Sequence, residues 1–184
     1  MERFHYKISN YDCQVLFSEK ILIHGLFLCV LHADKIPPHL GLITNGLFYS
    51  LKANGKDEGV PVRNLLPIIH KRNITTLFFK LDERATSHAE VVRYFKSFPT
   101  KIGENETCLT PIKSLLQAPI STAHVGDLMN YLEQSNLILE RLTLHLPKGF
   151  SGIPYYTLAD ITKRIQSLKD DKGKKSILKT SRAI

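Results

Sequence analysis

Cys108 and His39 are the residues whose types and settings could together carry nucleophilic chemistry. Cys108 opens the run Cys108-Leu109-Thr110-Pro111-Ile112, which reads as a helix start with its proline in the first turn. A helix N-terminus offers unpaired N–H groups and a partial positive charge. Both favour thiolate over thiol and are expected to pull the Cys108 pKa below the free value of about 8.5. With Cys108 as N-cap, Pro111 falls at the third helical position, where its missing N–H is no loss. The same N–H groups could hold the oxyanion of a tetrahedral intermediate. A neutral His39 ring would take the thiol proton and return it to the leaving group.

The element that must position His39 is the stretch Pro37 to Lys52. Asn45-Gly46, flanked by apolar runs, is the signature of a two-residue type I′ hairpin turn. With that turn, Thr44 pairs with Leu47, Gly41 with Ser50 and His39 with Lys52. Alternation then puts His39, Gly41, Ile43, Phe48, Ser50 and Lys52 on one face. Gly41 would leave space above the strand beside His39, and Ser50 is the candidate third polar group.

The other elements follow from pattern. Residues 4–8 and 13–17 alternate as short strands, joined by a turn at Ser9 to Asp12. Ile21 to His32 is apolar throughout and reads as a central buried strand. Ala53 to Gly59 reads as a polar loop and Val60 to Val62 as a short edge strand. Asn64 to Lys71 reads as a helix that tolerates Pro67 only near its first turn. Thr75 to Leu81 is a strand by its β-branched and aromatic content. Ser87-His88-Ala89-Glu90 and Thr157-Leu158-Ala159-Asp160 are capping boxes opening helices to Phe98 and Lys169. A helix is expected from Thr122 to Gln134, a strand from Leu137 to Leu146 and a loop from Pro147 to Tyr156. Strands precede helices in blocks, which indicates an α+β class with a mainly antiparallel sheet and packed helices.

Residues 1–169 read as a single domain, and 170–184 as a basic, disordered tail. The formal charge of +8 supports this division, because Lys172, Lys174, Lys175, Lys179 and Arg182 supply five of the charges with no acid among them. A folded body carrying only +3 argues against nucleic-acid binding. The tail could meet an acidic partner. Three cysteines without a CxxC pair fit reduced thiols in a cytoplasmic setting, and the apolar run Ile21 to Leu31 is too short to span a bilayer. No cofactor is expected. Cys13, His24, Cys29 and His32 lack the close spacing of a zinc site, so no metal is expected either. His70, His88, His124 and His145 read as surface or structural residues without partners. Tyr155-Tyr156 covers the core or lines a groove.

The order of parts is a histidine hairpin, strand, capped helix, polar loop and then a cysteine opening a second helix. It resembles the circularly permuted papain-like thiol enzymes, namely the PPPDE-type, lecithin-retinol acyltransferase-like and permuted NlpC-type peptidase groups. Pro38-His39-Leu40-Gly41-Leu42-Ile43, with Phe48-Tyr49-Ser50 returning, is similar to the histidine hairpin of that group. Glu106-Thr107-Cys108-Leu109 is similar to its cysteine-bearing helix start, and the likeness covers residues 20–117. It implies a cysteine hydrolase acting on amide or isopeptide bonds, or an acyltransferase. Cys108 would be the nucleophile and His39 the base, with peptide, isopeptide or acyl substrates. The alternative is a non-catalytic interaction module of the same fold, its basic tail held to an acidic partner or nucleic acid.

Overall fold

Every side chain of Leu26–Leu31 is apolar, and this segment forms β3, buried along its whole length in the middle of the main sheet. The computed structural model describes residues 3–8, 12–16, 18–53, 55–99 and 106–168. The remaining strands are β1 (Phe4–Lys7), β2 (Gln14–Val15), β4 (His39–Thr44), β5 (Leu47–Lys52), β6 (Gly55–Pro61), β7 (Thr76–Leu81), β8 (Ile138–Leu144) and β9 (Gly152–Pro154). The helices are α1 (Val62–Lys71), α2 (His88–Ser97), α3 (Leu109–Leu115), α4 (Val125–Gln134) and α5 (158–168). The class is α+β. Seven strands run in the order β2-β8-β7-β3-β4-β5-β6, antiparallel except for the β2–β8 pair, and β1 pairs with β9 apart from them.

Alternation along the strands builds two cores. Leu28, Val30, Leu40, Leu42, Leu77 and Phe79 point to the face covered by α2, α3, α4 and the β1–β9 ribbon. Phe27, Cys29, Leu31, Ile43, Phe48 and Phe78 point to the opposite face, under α1. Helix α1 meets that face with Val62, Leu65, Leu66 and Ile69, the three- and four-residue spacing of one helical stripe. Its Pro67 lies in the second turn rather than the first, on the exposed side, so the carbonyl it leaves unpaired faces water. Asn45 and Gly46 have φ of 49° and 71°, as a type I′ turn demands. Both capping boxes form. Ser87 closes on Glu90, and Thr157 Oγ1 accepts from Asp160 N–H while Asp160 Oδ2 accepts from Thr157 N–H at 2.7 Å.

Four sequence expectations change. Ile21 to Ile23 belongs to a 3₁₀ helix (Glu19–Ile23), and Gly25 at φ 96° breaks the chain before β3 begins, so the buried strand is shorter than expected. The polar segment expected to be a loop after Ala53 is instead β6, an edge strand paired with β5 through Ser50↔Asp57 and Leu51↔Lys56. An edge strand needs only one pairing partner and tolerates charged side chains. Val62 begins α1 instead of ending that strand. The loop expected before Tyr156 contains β9, and Gly152 lets it approach β1 so closely that a Cβ there would meet Tyr6 O at 2.2 Å. The turn at Ser9 to Asp12 lies almost wholly outside the described residues, and the basic tail lies entirely outside them.

Candidate active site

The β4–β5 ladder runs from Thr44↔Leu47 to Leu42↔Tyr49 and stops, while β5 stays paired with β6 as far as Lys52↔Gly55. At their His39 and Lys52 ends the two strands part. In an antiparallel pair every second residue turns its N–H toward its neighbour, and in this register Leu40 turns its N–H toward β5. With the ladder ended, that N–H lies near the Cys108 thiol, and with the N–H groups of Cys108 and Leu109 it favours the thiolate.

Cys108 is the N-cap of α3, with Pro111 third in the helix. Thr107 holds the turn: its Oγ1 accepts from Leu109 N–H at 3.2 Å and its carbonyl from Thr110 N–H at 3.0 Å. The expected fall in the thiol pKa does not follow. Desolvation among the apolar residues of the α2–α4 face is the largest influence and pushes the Cys108 thiol up; the three N–H groups oppose it without overcoming it.

His39 lies on the α1 side of β4, opposite Leu31 in the register. Its Nε2 stands 3.1 Å from Ser50 Oγ, and the Ser50 hydroxyl donates to Asp57 Oδ2 at 2.8 Å. A serine has one proton to give. Because Asp57 receives it, Nε2 must be the protonated nitrogen of His39, and Nδ1 carries the lone pair. Lys52 Nζ closes the chain on Asp57 Oδ1 at 2.5 Å. Burial drives the His39 pKa down to about 4, against the pull of Asp57 and with help from Lys52 and His32. The ring is therefore neutral at pH 7, the form a base requires. Nδ1 makes no hydrogen bond among the described residues.

His39 and Cys108 both line one cavity of about 690 Å³ that wraps around the parted ends of β4 and β5. They reach it from opposite sides of the strand, and no hydrogen bond joins thiol to ring among the described residues. Tyr156 also lines it, its buried hydroxyl accepting from Val125 N–H at 3.1 Å, so the pair Tyr155-Tyr156 is divided between core and surface. The space expected above Gly41 is filled: the Phe48 ring lies where a Cβ would stand, 2.2 Å away.

Ser50 joins His39 as expected, because the hairpin's alternation puts both on one face. Asp57 was not anticipated. Its signal was present, since extending the hairpin one strand further sets Asp57 opposite Ser50. The four histidines expected to stand alone have partners. His70 Nδ1 lies 3.0 Å from His145 Nε2, His88 Nδ1 lies 3.3 Å from Thr44 Oγ1, and His124 stacks on His5 beside Asp127. Apart from the local His124–Asp127 pair, these contacts join segments 44 or more positions apart, which local patterning does not register. Among the described residues no three His, Cys, Asp or Glu side chains gather as a metal site, and no helix is long and apolar enough to cross a membrane. No family model, curated protein or solved structure matches the chain, so the chemistry of this site rests on its own geometry.

Proposed function

We propose that the protein is a cysteine-dependent hydrolase or acyltransferase of the permuted papain-like kind. The observation that supports this reading is the presence of Cys108 and a neutral His39 in the lining of one cavity. A carbonyl entering the cavity is attacked by Cys108 sulfur as His39 Nδ1 takes the thiol proton. The carbonyl oxygen gains charge beside the N–H groups of Leu40, Cys108 and Leu109, which favour negative charge at this point. His39 returns the proton to the leaving nitrogen or oxygen, leaving a thioester that water or another nucleophile resolves. Ser50 and Asp57 are positioning residues, fixing the tautomer of the ring. A thiol held up by burial needs this substrate-filled state, in which ring and sulfur close on the same carbonyl.

A second reading has its own observation. The raised thiol and the absence of a bond to His39 suit an interaction module whose cavity binds without reacting.

Treatment of the full chain with p-nitrophenyl acetate, followed by peptide mass mapping, separates the two. The catalytic reading expects a stoichiometric burst of p-nitrophenolate and an acetyl group on Cys108, both absent in Cys108→Ala. Acetylation confined to surface lysines, at equal rates in wild type and Cys108→Ala, would leave the binding module. Added amine or alcohol acceptors then report acyl transfer against hydrolysis.

A further inference from the structure

The cavity that holds Cys108 and His39 has two unlike walls. Lys35, Lys52, Arg72 and Arg164 supply four cations to its lining, and among the described residues no aspartate or glutamate lines it. Ile36, Leu40, Leu51, Leu109, Ile161 and Ile165 form the apolar remainder. Lys52 is neutralised by Asp57 at 2.5 Å. Lys35, Arg72 and Arg164 form no ion pair among the described residues. All three lie close enough to His32 to act on its charge, with Asp34 the one carboxylate nearby that opposes them. These cations arrive from three separate places: the turn after β3, the C-cap of α1, and α5. The fold therefore gathers exposed like charges from three elements at one end of a half-open cleft, a setting that raises the local concentration of anions.

We infer that this cavity binds an organic anion with an apolar body, its carboxylate or phosphate at the His32 end and its apolar part beneath α5. At about 690 Å³ the space suits a molecule of drug-like size. The inference deepens the thiol reading by giving the class of its substrate. It rests on that reading only for which bond faces Cys108, because binding does not require the sulfur to react.

Calorimetric titration of the full chain at low salt tests it with 4-phenylbutyrate as the carboxylate probe and phenyl phosphate as the phosphate probe. 4-Phenylbutanol and 4-phenylbutylamine are the neutral and cationic controls. At least one anion is expected to bind at one site about tenfold or more tighter than the alcohol, with affinity falling as salt rises. The stronger of the two anions identifies the head group. The exposed double substitution Arg72→Glu with Arg164→Glu should abolish anion binding while leaving the circular dichroism spectrum unchanged. Alcohol binding as tight as that of both anions, or anion binding untouched by the double substitution, overturns the inference. Should the anion bind as expected while Cys108 stays unacylated by p-nitrophenyl acetate, the binding site stands and the catalytic reading fails.

Discussion

Cys29, in the middle of β3, and Cys108, at the start of α3, are thiols of one chain in contrasting surroundings. Cys29 is fully buried, and burial alone raises its pKa. Cys108 is partly exposed, lines a cavity, and has three backbone N–H groups working against its desolvation. The difference is one of backbone. Around Cys29 both neighbouring ladders are continuous, so every amide is spent on a strand. Around Cys108 a helix begins and a ladder ends, which leaves amides near the sulfur that no strand uses. Reactive settings arise where regular structure stops, because only there are hydrogen-bonding groups left over.

The widest separation between the two thiols should be in accessibility. In the folded protein iodoacetamide should modify Cys108 at least ~1000-fold faster than Cys29, whose exposure requires opening the sheet. Peptide mapping distinguishes both from the half-buried Cys13. Equal rates at positions 29 and 108 would dissolve the contrast.

A sharper test concerns His39. Substitution by Gln should slow acetylation of Cys108 by p-nitrophenyl acetate at pH 7 by on the order of 100-fold if the ring serves the thiol. Ser50→Ala should slow it less, with Ser50→Thr restoring the rate. The same ring sets an acid limit on stability. Folded His39 binds its proton only near pH 4, against 6.5 for an unperturbed histidine, because burial disfavours the charged ring. Above pH 6.5 neither state is protonated; as pH falls toward 4 the unfolded chain takes up the proton first. Stability should therefore drop by roughly 3 kcal/mol across that window, and His39→Gln should remove this part of the fall. Urea titrations at pH 7 and pH 4.5 measure it. An unchanged acetylation rate in His39→Gln would separate ring from sulfur and leave Cys108 a bystander.

The smallest effect compares the two thiols as packing groups. Cys29→Ala opens a void at the centre of the sheet and should cost about 1–2 kcal/mol, whereas Cys108→Ala, beside an existing cavity, should cost about half as much. Thermal denaturation of the two variants decides this, and a larger loss at position 108 would show that its sulfur is structural.

Much of this architecture could be read from the chain in order. The Asn45-Gly46 turn, the two capping boxes, the N-cap position of Cys108 and the shared face of His39 and Ser50 all depend on neighbours a few residues apart, whose sterics act before any tertiary contact forms. β6 was hidden because its charged residues resemble a loop, and an edge strand is defined by the strand it meets. β9 was hidden for the same reason, being three residues that become a strand only against β1.

By itself the sequence determined the local pieces: which residues turn, cap and alternate, and that a thiol begins a helix while a histidine begins a strand. Only the tertiary structure decided the rest. It ended the β4–β5 ladder at Leu42, left the Leu40 amide near the sulfur, and set Asp57 behind Ser50. It also brought Lys35, Arg72 and Arg164 around one cavity. Long-range pairing fixes which polar groups are left unspent and how deeply a thiol is desolvated, and spacing along the chain carries neither quantity.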